Sequence, residues 1–168
     1  MTLNDSAFII GVGAGATAIT DLWVIVRERV FKVPRPHYEF VGRWVAHMVL
    51  GRFRHDAIAA SPPMAAERAI GWITHYAIGV AFALLLPAIW GAEWIHQPTF
   101  LPAFMVGIGT VAAPYFVMQP AMGAGIAASR TPRPNAARLH SLVMHAAYGL
   151  GLYAAALLIG ATTVAWAR

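Results

Sequence analysis

Residues 68–90 read RAIGWITHYAIGVAFALLLPAIW, from Arg68 to Trp90, and no Asp, Glu, Lys or Arg follows Arg68 within that stretch. About 20 apolar residues in helical form cross the roughly 30 Å hydrocarbon core of a bilayer. The apolar positions do not alternate, which argues against a barrel strand. A backbone in hydrocarbon must satisfy its own hydrogen bonds, and a helix does so. The same frame returns further along the chain. Arg68 precedes His75 by seven residues and Gly79 by eleven, and Arg138 stands in the same relation to His145 and Gly149. The recurrence predicts two copies of one supersecondary unit, with a matched imidazole in each.

A further apolar stretch precedes each copy, near 6–26 and 101–128. Composition agrees with a lipid solvent: 59% of the 168 residues are hydrophobic and 11% are charged, against about 25% charged in soluble domains. Mean hydropathy is +0.61. The expectation is a single integral membrane domain over 1–168, all-α, built as a four-helix transmembrane bundle. Its spans are predicted at about 6–28, 68–91, 101–129 and 137–166. The first basic side chain is Arg27, so the N-terminal stretch reads as a retained span and not as a cleavable signal peptide.

Charge sets the expected orientation. Of the twelve Lys and Arg, eight lie between the first two spans and three between the last two, while the link at 91–100 has none. Basic loops stay in the cytoplasm, which puts both termini outside. It also makes the net charge of +5 a topology signal and excludes a nucleic-acid partner. The bilayer is the expected partner. The absence of cysteine rules out disulfides, thiolate metal sites and a cysteine nucleophile.

The first cytoplasmic loop opens with Val33-Pro34-Arg35-Pro36, which ends the first helix. A helical period resumes over about 38–50, with Phe40, Val41, Trp44, Val45, Met48 and Val49 on one face and Arg43 and His47 on another. This predicts an amphipathic helix lying on the cytoplasmic interface. Ser61-Pro62-Pro63 reads as the start of the second span, with Ser61 as its cap. Pro114 and Pro120 predict a kinked or unwound third span. Pro-Arg-Pro turns after the first and third spans support two tandem helix hairpins, related by a pseudo-twofold along the membrane normal. Gly11 and Gly15 form a GxxxG face for close packing, within the chain or in a homodimer. Trp72, Trp90 and Trp94 suit an aromatic belt at the interfaces.

Each span brings a polar side chain into the cytoplasmic half. Asp21 lies about 9 Å from the Arg27 anchor, and His75 and His145 lie about 10 Å from theirs. Gln119 completes the set. Ionisable residues in spans usually face the bundle interior or a wet cavity, so Asp21, His75, Gln119 and His145 are the candidate ligand-binding residues, with His75, His145 and Asp21 as possible metal ligands. The function this suggests is binding or translocation of a small solute or cation. Histidine fits because it titrates near neutral pH and ligates metals. Two alternatives remain open: a bis-histidine haem or quinone redox protein, with haem or a divalent metal as cofactor, and a structural or assembly partner in which the polar residues only hold helices together. No hydrolase, zincin or P-loop motif is present, so enzyme activity is not favoured. Arg52, Arg54, His55 and Asp56 form a secondary cytoplasmic cluster.

Several strings are long enough to be specific: Asp21-Leu22-Trp23, Val41-Gly42-Arg43-Trp44, Gly51-Arg52-Phe53-Arg54-His55, Gly71-Trp72-Ile73-Thr74-His75-Tyr76, and the run from Gln119 to Pro132. On these the chain resembles the bacterial inner-membrane domain-of-unknown-function family 2938 over nearly its whole length. The resemblance implies a small polytopic bacterial membrane protein and brings no activity with it.

Overall fold

The computed structural model describes residues 2–166, with side chains over 2–161. The two chain ends, expected outside the cell membrane, lie beyond the described residues. Among these the fold is all-helical, as the sequence predicts, and four helices are long and apolar enough to cross a membrane: Leu3–Phe31, Glu67–Trp90, Phe100–Ala121 and Pro134–Ala161.

Helix α1 (Leu3–Phe31) begins at a capping box. The Thr2 hydroxyl accepts the Asp5 N–H at 3.1 Å, and the Asp5 carboxylate accepts the Thr2 N–H at 2.7 Å, so two orphan donors of the first turn are satisfied. The helix ends where Lys32 turns left-handed, φ 56°, ahead of Pro34. Helix α2 covers Tyr38–Val49. Helix α3 (Glu67–Ala83) and helix α4 (Leu85–Trp90) form the second span. Pro87 has no N–H for the Ala83 carbonyl, which accounts for the break between them. Ser61 does not cap this span. The helix starts at Glu67, and the Ser61 hydroxyl is turned to His55 and Ala57.

Helix α5 is the short Glu93–His96. Trp94, expected in an aromatic belt, is instead 4% exposed, with its indole N–H on the Thr99 carbonyl at 3.2 Å. The third span starts as helix α6 (Phe100–Gly109), widens to a π-turn at Pro114–Met118 and finishes as helix α7 (Gln119–Ala121). The predicted distortion is thus present, and its form is a π-turn. This span stops at Ala121 and does not run on to 129. The chain reverses there through Gly123 (φ 94°), Gly125 (φ 75°) and two left-handed alanines, Ala127 (φ 46°) and Ala128 (φ 58°). A left-handed non-glycine residue costs about 1–2 kcal/mol. The Arg138 guanidinium offsets part of that by donating to the Ala127 carbonyl at 2.8 Å. Helix α8 (Pro134–Trp166) supplies the fourth span.

The chain divides into two compact units. The first comprises Met1–Pro34, Tyr76–Gly109 and Met144–Arg168. Its core includes Ile9, Val12, Leu86, Val106 and Leu152, all at most 4% exposed. Helices approach closely here because glycines face each other. A Cβ on Gly13 would stand 2.6 Å from the Val80 backbone, and one on Gly107 would stand 2.4 Å from the Gly149 backbone. The Gly11/Gly15 face is used inside the chain, where Ile159 and Ala155 of α8 lie against it. Large apolar side chains such as Ile10 (51%), Leu22 (60%) and Leu158 (65%) are exposed along the spans, which suits contact with lipid.

The second unit comprises Arg35–His75 and Thr110–Val143. A small core of Trp44, Ile58 and Ala121 holds it together. The face assignment for α2 needs correcting here. Arg43 and His47, expected on a face apart from the apolar side chains, are buried, while Val49 of the apolar face is 86% exposed. Backbone carbonyls of the loop after α2 claim the two polar side chains, and that outweighs the apolar period.

Candidate functional site

The densest polar constellation lies in the second unit, where α2 crosses the first turns of α3. Gly42 and Gly71 make the crossing possible. A Cβ on Gly42 would sit 1.7 Å from the Glu67 carbonyl oxygen, and one on Gly71 would sit 2.0 Å from the Tyr38 carbonyl oxygen. The contact sets Arg43 beside Glu67. Nε and Nη2 of Arg43 donate to the two carboxylate oxygens, each at 2.8 Å, in the fork geometry that makes arginine–carboxylate pairs strong. Nη1 reaches the carbonyls of Ile58 (3.3 Å), Ala59 (3.3 Å) and Ser61 (3.1 Å). Glu67 also accepts the Met64 N–H at 2.9 Å. One ion pair therefore ties the whole loop between α2 and α3 to both helices.

Two imidazoles flank this pair, their ring centroids 5.0 Å apart and nearly perpendicular. His47 Nε2 donates to the Pro62 carbonyl at 3.1 Å. His55 Nδ1 meets the Ser61 hydroxyl at 2.8 Å. That hydroxyl also lies 3.4 Å from the Ala57 carbonyl, and the other ring nitrogen, Nε2, is buried. Burial, reinforced by the charges of Arg52 and His47, pushes the His55 pKa below its ordinary 6.5.

The sign of the pH effect follows. With the folded pKa depressed, the unfolded chain takes up the proton first, so stability is whole above pH 6.5 and falls as pH drops through 6.5 toward the folded value. Acidification should loosen the loop 51–66. His55→Gln should flatten the pH dependence of thermal unfolding between about pH 7 and 5. Equal slopes for variant and parent would remove His55 as the group responsible.

The predicted span residues are divided between the two units, Asp21 and His145 in the first and His75 and Gln119 in the second. Asp21 accepts the Tyr76 hydroxyl at 3.1 Å. His145 Nδ1 donates to the Gly107 carbonyl at 3.2 Å, while the neighbouring Tyr148 hydroxyl donates to the Gly79 carbonyl. His75 Nε2 is 3.1 Å from the Tyr38 hydroxyl, and the Tyr38 ring stacks on the imidazole at 4.3 Å. The two histidines of the repeated frame thus have different partners. Gln119 donates to the Ser141 hydroxyl at 3.3 Å. Among the described residues, no three His, Asp or Glu side chains converge on a possible metal position. His75 Nε2 is engaged by Tyr38 and His145 Nδ1 by the Gly107 carbonyl.

Of the secondary cluster, Arg52, Arg54 and Asp56 are exposed and only His55 is buried. His55 turns inward to Ser61 while its neighbours stay in water. Sequence reasoning missed Arg43, His47, Glu67, Ser61 and Tyr38 as members of a constellation. One signal was present: Gly42-Arg43 and Glu67 with Gly71, glycines that let the two charged positions approach.

Four apolar helices and a buried polar clamp define a small all-helical membrane protein. More particularly, the chain belongs to the family described as Protein of unknown function (DUF2938), whose profile matches residues 9–159. No curated protein and no solved structure matches it.

Proposed function

We propose that this protein binds or translocates a small solute or cation inside a bacterial inner membrane, at the distorted third span. Gln119 carries the reading. Its Oε1 is buried with no hydrogen-bond partner, directly after the π-turn Pro114–Met118. Ser141 spends its proton on the Ala137 carbonyl at 3.1 Å and offers Gln119 only lone pairs, so Nε2 faces Ser141 and Oε1 faces away. An unpaired buried acceptor costs about 1–3 kcal/mol, and π-turns are frequent at functional sites. An amide oxygen takes an N–H or O–H donor, or a hard cation. Asp21 and His145, each paired within the first unit, fit the helix-packing role instead.

The test is thermal unfolding in detergent against a panel of alkali and alkaline-earth chlorides, ammonium and small amines. A ligand at a hundred times its Kd stabilises by about 2.7 kcal/mol. At least one should raise the midpoint of the parent protein and leave Gln119→Leu unmoved. No shift across the panel, or equal shifts in both proteins, overturns the reading.

The proposed orientation has both termini in the periplasm, supported by eleven basic residues in the two loops and the helix ends that adjoin them, against one elsewhere. A green fluorescent protein fused to the C-terminus should stay dark and an alkaline phosphatase fusion should be active. A fluorescent fusion reverses the orientation.

A further inference from the structure

An open groove of about 510 Å³ is lined by Thr131, Pro132, Arg133, Ala136, Ala137 and His140. We propose that it holds the headgroup of an anionic phospholipid, with the phosphate on Arg133. This inference is independent of the solute reading at Gln119.

Arg133, Ala136, Ala137 and His140 recur at the spacing of one helical face. The two alanines and Pro132 make a low apolar floor between a guanidinium and an imidazole. Such a floor suits the glycerol and upper acyl carbons of a lipid, and a free anion gains nothing from it. The volume falls within the usual range for small-molecule sites, about 300–1,000 Å³. The groove opens beside the first turns of a helix that is long and apolar enough to cross a membrane, where lipid headgroups lie.

Charge gives the sign of the ligand. The segment Thr110–Val143 contains three arginines and no Asp or Glu. Arg138 is committed to the fold through the Ala127 carbonyl at 2.8 Å and Asn135 Oδ1 at 3.0 Å. Arg133 is exposed at the groove. Thr131 spends its hydroxyl proton on the Ala128 carbonyl at 2.8 Å, so it offers a lone pair. It therefore accepts from a headgroup hydroxyl and does not serve the phosphate. A phosphatidylglycerol headgroup supplies both a phosphate for Arg133 and such a hydroxyl.

The experiment is native mass spectrometry of the delipidated protein in detergent, titrated separately with phosphatidylglycerol, phosphatidylethanolamine and inorganic phosphate. Phosphatidylglycerol should bind best. Arg133→Gln should weaken it about fivefold, the effect of one cation near a lipid surface. Ala136→Trp keeps the charge but fills the floor, and should weaken it at least as much. Arg54→Gln, which removes an exposed arginine away from the groove, should change it less than twofold. The proposal is overturned if Arg54→Gln costs as much as Arg133→Gln, if Ala136→Trp costs nothing, if phosphatidylethanolamine binds equally, or if inorganic phosphate displaces the lipid at equal concentration. Arg133→Gln alters only an exposed side chain, so its result stands even if Ala136→Trp does not fold.

Discussion

Glu67→Ala should lower the unfolding free energy by about 3–5 kcal/mol, because it leaves the Arg43 guanidinium buried without its counter-ion. The two side chains are 9% and 17% exposed, too little for water to replace the partner. The loss includes the Met64 N–H acceptor and the anchoring of the loop that Arg43 holds by three carbonyls. Glu67→Gln keeps an acceptor for Met64 and should lose less. The double change Arg43→Met with Glu67→Leu should recover most of the loss, since an apolar pair of similar volume often matches a buried ion pair. The measurement is denaturant unfolding in detergent micelles, with limited proteolysis of residues 51–66 as a local readout. A loss below 1 kcal/mol for Glu67→Ala would class the pair with solvated surface bridges and would falsify its role as the clamp.

Gly42→Ala should be the most damaging single methyl added to the chain. The new Cβ would lie 1.7 Å from the Glu67 carbonyl oxygen and 2.6 Å from the Gly71 nitrogen. Both are backbone atoms, so no side chain can turn aside, and α2 must move off α3. Overpacking of this kind costs about 1–3 kcal/mol and occasionally more. The movement also lengthens the Arg43–Glu67 bonds, which predicts non-additivity: Gly42→Ala combined with Glu67→Ala should cost less than the sum of the two. Gly160→Ala is the control, because a Cβ there meets nothing within 4 Å. Inside helix α8 it should be neutral or stabilise by up to about 1 kcal/mol. Additive losses for Gly42→Ala and Glu67→Ala would show that the crossing and the ion pair are separate features.

Four spans could be read directly, because the charge-free length needed to cross a bilayer is a one-dimensional property. The third span's distortion was legible for a similar reason: Pro114 removes a backbone donor whatever surrounds it. The end of that span was not. Nothing local to Met122–Ala128 demands that Ala127 and Ala128 turn left-handed. That conformation is held from outside, by the Arg138 bond to the Ala127 carbonyl and by Gly123 lying against Asp56, where a Cβ would stand 2.0 Å from the Asp56 carbonyl oxygen.

The candidate site divides along the same line. Gln119 was singled out as the polar side chain of its span; its Oε1 is buried while the residue as a whole is half-buried. His75 and His145 were matched by spacing, and spacing cannot see partners. Tyr38, distant in sequence, takes one, and the Gly107 carbonyl takes the other. Arg43 and His47 were placed only on a face apart from the apolar side chains, because an amphipathic period reports only which side chains share a face. Which face is buried depends on what is laid against it. The sequence by itself determined that this chain forms apolar helices of membrane-spanning length, because hydrophobicity and backbone self-sufficiency are local. Only the tertiary structure decided that Arg43, Glu67, His47 and His55 form one buried clamp. Their proximity arises from two glycines that let one helix lie on another, and burial energies depend on which groups meet.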